Sequence, residues 1–225
     1  MRTKVIWALA ILAAVMLVRN LRVILLHLPD DPEQGMIYRI LFFHVPSWFT
    51  GGIAAVLATV ASIMYLVRKD LRYDALAVSA TEISLAFVCV GMVTGSIWAR
   101  IIWGIWWTWD ARLTSAFIWT MLYAAYLVLR TAIEDPTQRA RISAVFSLFA
   151  AADLPIVWFS IEWFRTQHPQ PVLRAGGYID PAMKAAVYWN WPALMALAGV
   201  FLLIRIHQEN TRREIDGLRR MAHAI

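Results

Sequence analysis

Two histidines and a cluster of tryptophans are the residues of this chain with the most chemistry to offer. His44 stands in the run F-F-H-V-P-S-W-F, and His168 in E-W-F-R-T-Q-H-P-Q-P. Between them lies Trp103 to Thr114, W-G-I-W-W-T-W-D-A-R-L-T, with four tryptophans in seven positions. A tryptophan side chain is a rigid, flat, apolar body with a single N–H donor. Four crowded into one connecting loop need something flat and apolar to cover their rings. A neutral imidazole is a good iron ligand, and two on opposite faces of a porphyrin complete a six-coordinate site. Haem is apolar over its faces and anionic at its propionates. Arg100, Arg112, Arg165 and Arg174 fall in the same loops and supply cations for that edge.

Each residue also has a plainer reading. A lone loop histidine is more often solvated or hydrogen-bonded than a ligand. Trp98, Trp103 and Trp109 could anchor helices at the membrane boundary. Asp110 is placed to cap the helix that follows it, and Arg112 to anchor that helix at the head groups. A belt accounts for two or three tryptophans but not for their density, and each loop flanking the Trp-rich loop contributes a histidine. The ligand platform is therefore the favoured expectation, with Asp110 capping a helix in either case.

The elements that position these residues follow from composition. Sixty per cent of the 225 residues are hydrophobic and 16% are charged, too apolar for a dispersed soluble chain. Apolar runs of bilayer-crossing length recur at about 5–27, 48–67, 76–98, 112–129, 142–161 and 185–205. The expectation is an all-α integral membrane protein, a single six-helix transmembrane domain over 1–225. Its outer loops are expected at about 28–47, 99–111 and 162–184, with a tail at about 206–225. The first run resembles a signal peptide, with Arg2 and Lys4 ahead of an apolar stretch. No small-residue cleavage pattern follows, so a retained helix is expected, with Arg19 and Arg22 snorkelling outward or pairing inside the bundle.

Basic residues set the orientation. With the N-terminus inside, thirteen of the 21 Lys and Arg fall on inner segments and six on outer ones. Both termini are therefore expected in the cytoplasm. A basic inner face meets anionic lipid, so the net charge of +6 calls for no nucleic-acid partner. The tail reads as a solvated or lipid-adjacent helix. Cys89 is the only cysteine, so no internal disulfide forms, and there is no C-x-x-C-H, Walker loop or H-E-x-x-H. Glu82 and Asp153 fall inside spans, where a carboxylate is expensive. Pairing with Arg19 or Arg22 is expected, proton relay being the sharper alternative.

Trp103-Gly104, Trp107-Thr108-Trp109-Asp110-Ala111-Arg112-Leu113-Thr114 resembles the WWD signature of haem-handling proteins. Six spans in so short a chain resemble, within that group, the cytochrome c maturation protein C (CcmC, haem exporter protein C) family. Asp31, Gln34-Gly35, Tyr38-Arg39 and His44-Val45-Pro46 fit the same pattern, as does Glu162-Trp163 with His168. The resemblance implies a protein of the bacterial or mitochondrial-type inner membrane with its functional loops on the periplasmic side. It implies non-covalent, transient haem b with His44 and His168 as axial ligands of the iron. Trp103, Trp107, Trp109, Asp110 and Arg112 would belong to the haem platform, and Asp31, Gln34 and Arg39 would meet a partner. The implied partners are the haem chaperone, cytochrome c maturation protein E, and the A, B and D components of an ATP-binding cassette complex. Pro169 and Pro171 beside His168 depart from the expected pattern.

The expected function is delivery of haem for covalent loading of that chaperone. The chain would orient the haem vinyl group and the chaperone's nucleophile without catalytic activity of its own. The alternatives are a haem-translocating permease subunit and an architectural subunit whose aromatic loop docks a partner.

Overall fold

Proline, glycine and aspartate punctuate the apolar runs, and the helix boundaries follow them. The computed structural model of the chain describes residues 2–170, 173 and 179–223. Its helices are α1 (Arg2–Leu26), α2 (Leu41–Arg68), α3 (Leu71–Trp103), α4 (Ala111–Thr131), α5 (Pro136–Ala151), α6 (Asp153–Trp163) and α7 (Pro181–His223), with a 3-10 turn at Met36–Ile40 ahead of α2. Six segments, α5 and α6 together forming one, are long and apolar enough to cross a membrane. Asp70, Asp110 and Asp135 cap α3, α4 and α5, each accepting a backbone N–H of the first turn. Lys69 and Gly104 end α2 and α3 in left-handed conformations.

The expected outer loops are shorter than composition indicated. Pro46 reads as a helix start because it lacks an N–H, yet α2 begins at Leu41 and carries Pro46 inside it. The carbonyl that Pro46 leaves without a partner belongs to Phe42, four residues earlier. Asn190 of α7, fully buried, donates its amide to that carbonyl at 2.6 Å. Asn20 of α1 donates in turn to Asn190 Oδ1 (3.3 Å) and to the Trp189 carbonyl (2.9 Å). An unsatisfied carbonyl in the bilayer costs several kcal/mol. A chain of two asparagines therefore keeps α2 helical and moves His44 from the predicted loop into a helical turn. The loop predicted at 99–111 shrinks likewise, since α3 runs on to Trp103, and the loop at 162–184 ends where α7 begins at Pro181.

The fifth span breaks at Ala152, because Pro155 permits a first helical turn but no continuation back to Ala151. Asp153 sits at this break, buried, and its Oδ2 has no partner among the described residues. Glu82 pairs with Arg205 of α7 through both carboxylate oxygens. Neither carboxylate meets Arg19 or Arg22. Those two arginines face outward, Arg19 over the Trp189 ring at 5.8 Å. The tail is the continuation of α7, and it is packed before it is solvated. Glu209 is buried, and Arg213 donates to Asp74 (2.6 Å), Glu209 (2.9 Å) and the Leu71 carbonyl (2.8 Å).

α2 lies along α3, α1 packs chiefly on α7, and α7 also meets α2 and α3, while α4 packs on α3, α5 and α6. The α2–α3 pair sets the site, because the last turns of α3 stand beside the first turns of α2.

Candidate ligand pocket

Gly91 and Gly95 lie one turn apart on α3 and face His44 and Trp48, one turn apart on α2. A Cβ on Gly95 would stand 2.8 Å from His44 Cε1, and one on Gly91 would stand 2.6 Å from Trp48 Nε1. Only glycine lets α2 bring these two rings so close, the small-x-x-x-small device of membrane helices. Trp48 and Trp98 stand edge-on to the His44 ring, at 6.2 and 5.9 Å between centroids. Trp98 is thereby part of a wall, and its Nε1 donates to Gln34 Oε1 at 2.7 Å. Such a bond ties the loop before α2 to the end of α3.

These residues line a cavity of about 180 Å³ that is open at one mouth and has mostly apolar walls. His44, His168, Trp103, Trp107 and Arg112 all line it, as do Gln34, Trp48, Trp98 and Trp106. Two residues some 120 positions apart in sequence, His44 and His168, thus share one cavity.

Hydrogen bonds select the tautomer of each histidine. His44 Nδ1 lies 3.0 Å from Thr94 Oγ1. The Thr94 hydroxyl donates its one proton to the backbone, to Val90 O (2.7 Å) with Gly91 O at 3.1 Å, so it accepts from the ring. The proton of His44 is therefore on Nδ1, and Nε2 keeps its lone pair. His168 Nδ1 lies 2.9 Å from the Pro169 carbonyl, which can only accept. Again Nδ1 carries the proton and Nε2 is bare. Burial foremost, and then the Arg112 cation, push the His168 pKa down to about 4, so the ring is neutral at pH 7. Orientation of one nitrogen by a second partner is how proteins aim histidines at metals.

Asp110 holds the loops together. Its Oδ1 accepts from Leu113 N–H at 2.9 Å, capping α4. Its Oδ2 accepts from Thr108 Oγ1 (3.2 Å) and from Gln167 N–H (3.1 Å), one residue before His168. Partial burial opposes ionisation of Asp110, but bonds from Leu113, Thr166, Gln167 and Thr108 outweigh it and hold the carboxyl below its usual range. Arg112 stacks over Trp48 at 6.0 Å and donates to the Val157 carbonyl. Trp107 packs on Trp109 and Phe117, and its buried Nε1 has no acceptor among the described residues. Trp109 is 73% exposed and stands outside the pocket lining.

Asp31, Gln34 and Arg39 form a strap beside the pocket. Asp31 Oδ1 accepts from the N–H groups of Glu33 and Gln34, at 3.0 and 2.8 Å. Arg39 donates to the carbonyls of Ile24 and Leu28, at the end of α1, and pairs with Asp30 at 2.7 Å. Pro171 and Arg174 lie outside the described residues. Arg100 stacks over Trp106 at 5.9 Å.

Sequence reasoning missed Gly91, Thr94 and Gly95. The G-x-x-x-G spacing of Gly91 and Gly95, matched by the four-residue spacing of His44 and Trp48, is the signal that marks the helix contact. Nothing in sequence marks Thr94 as the partner of His44.

Chemically, the pocket offers two neutral imidazoles, an arginine, an indole donor and broad aromatic walls. Among the described residues no group of three or more His, Cys, Asp or Glu could hold a bare metal ion. Two imidazoles suit a metal that brings its other donors in a flat ring. The fold and this pocket define a polytopic membrane protein with an aromatic, histidine-lined cavity at one end of the bundle. The chain belongs to the heme exporter protein C family, whose profile matches residues 1–222. Similar proteins include heme exporter protein C of Bradyrhizobium diazoefficiens, 37% identical over 200 residues, 88% of this chain and 73% of the relative. That of Escherichia coli K12 is 36% identical over 180 residues, 79% of this chain and 72% of the relative. That of Paracoccus denitrificans is 28% identical over 197 residues, 84% and 80% of the two chains.

Proposed function

We propose that this chain is a haem-handling protein of cytochrome c biogenesis that holds haem between His44 and His168 and presents it to an accepting partner. One observation carries this reading: two histidines, each with Nε2 bare, line the same cavity as Trp103, Trp107 and Arg112. The Trp walls match the porphyrin faces. Arg112 and the Trp107 N–H, which has no acceptor among the described residues, match the propionates, while Asp110 keeps the His168 loop against the tryptophans. Trp109, exposed at the rim, and the strap bearing Asp31, Gln34 and Arg39 form the surface offered to the haem chaperone. The positive-inside distribution supports a pocket on the periplasmic face of the inner membrane, with both termini in the cytoplasm.

Haem is cargo here. The residues bind it, orient it and shield it from water, and the bond to the chaperone forms between a haem vinyl group and the chaperone's own nucleophile. The remaining exporter components would act on the loaded complex. A translocating permease gains no support from Glu82, which Arg205 neutralises.

The test is a visible spectrum of the purified chain in mild detergent, beside His44→Ala, His168→Ala and the double variant. A six-coordinate Soret band in the wild type, altered in each single variant and lost in the double, is expected. Failure of the wild type to take up haem, or a double variant with an unchanged spectrum, overturns the reading.

A further inference from the structure

The haem pocket leaves one side of α1 unexplained. Arg19, Arg22 and His27 are exposed there and, with Ala14, Val15, Val18 and Val23, line a shallow cleft formed by this helix face alone, separate from the pocket. Arg19 makes one 3.3 Å hydrogen bond to Asn20 besides its stacking on Trp189. The Arg22 guanidinium meets no acceptor among the described residues. His27 Nδ1 lies 3.3 Å from the Arg22 carbonyl, which holds the ring near the arginine. α1 ends at Leu26. At 1.5 Å per residue, Arg22 and Arg19 lie about 6 and about 10 Å below that end. Arginines at such depths reach head groups by extending along the helix.

We propose that this cleft is a phospholipid site. The two guanidiniums hold the phosphate oxygens of a lipid in the leaflet at the pocket end, and an acyl chain lies along Ala14, Val15 and Val18. The guanidinium fork matches phosphate geometry. Two cations above a smooth apolar row reproduce the shape of one phospholipid. A carboxylate on a partner helix would first have to be buried at this depth, whereas phosphate is already present at the membrane surface.

The test is native mass spectrometry of the full chain in mild detergent, titrated with phosphatidylglycerol, beside a double Arg19→Gln, Arg22→Gln variant. The wild type should retain one phospholipid, and the double variant should bind it at least tenfold more weakly. Arg22→Lys, which keeps the charge but loses the fork, should fall between. Haem uptake by the double variant should equal the wild type, showing that it is folded and separating this outcome from failure of the haem reading. Equal lipid retention in wild type and double variant overturns the proposal. Displacement of the lipid by inorganic phosphate alone would reduce the cleft to a simple anion site. A photo-crosslinker at position 18 that captures a protein rather than lipid in native membranes would overturn it in favour of a partner helix.

Discussion

The two ends of α3 handle charge in opposite ways. Near its first turn, Asp74 is 3% exposed and receives both arms of Arg130 at 2.7 and 2.9 Å. Arg213 joins the same carboxylate at 2.6 Å and Glu209 at 2.8 Å, bringing α3, α4 and α7 into one neutral cluster. Near its last turn, the polar groups are arranged toward a space. Trp107 Nε1 has no acceptor among the described residues, and both histidines turn Nε2 away from their hydrogen bonds. One end completes its own hydrogen bonding, and the other leaves an indole N–H and two imidazole lone pairs for something else. That contrast separates a cluster that holds helices together from the one proposed to hold haem.

The contrast can be broken most forcefully at Arg130. Arg130→Ala leaves Asp74 and Glu209 with unmatched charge, which costs about 3–5 kcal/mol for a buried pair. The thermal midpoint in detergent should fall sharply, while the haem affinity of the folded fraction holds. A variant that kept its midpoint and lost haem would reverse the roles assigned to the two ends.

Thr94→Val should do the opposite. It removes the acceptor that keeps the His44 proton on Nδ1, so haem affinity should drop roughly 10- to 100-fold. Haem titration and thermal melting on the same preparation would read both effects, and an unchanged affinity would remove Thr94 from the site.

Gly95→Ala sharpens the same point by geometry. The added methyl meets His44 Cε1, and overpacking of this kind costs about 1–3 kcal/mol. Because the ring is the part able to move, the expected signature is an altered Soret band in a protein that still folds. A native spectrum would show that His44 does not depend on the α2–α3 approach.

Asp110→Ala should cost about 1 kcal/mol of stability for a lost N-cap. It also frees the segment next to His168, so the spectrum should shift towards that of His168→Ala. If it moves instead towards that of His44→Ala, the assignment of Asp110 to the His168 loop is wrong.

Much of this was readable beforehand because it is local. The six spans, the Trp-rich loop and the Asp110 cap each depend on residues close together in the chain. The misreadings share a cause. Pro46 looked like a helix start because its missing hydrogen bond is local, whereas Asn190, which compensates, comes from α7. Glu82 was matched with the nearest unexplained arginines, whereas Arg205 reaches it from α7. The contacts of Trp98 with Gln34 and His44 were likewise out of reach, because neither is near it in sequence.

The amino-acid sequence by itself determined that this chain crosses the membrane six times and carries histidines and tryptophans suited to a flat metal-bearing ligand. Transfer of apolar residues into lipid is summed along each segment, so it can be read segment by segment. Tertiary structure decided that His44 and His168 share one pocket, which nitrogen each offers, and which acids and bases neutralise one another. Those outcomes rest on contacts of a few ångströms between helices far apart in the chain, where a single glycine or hydroxyl sets the geometry.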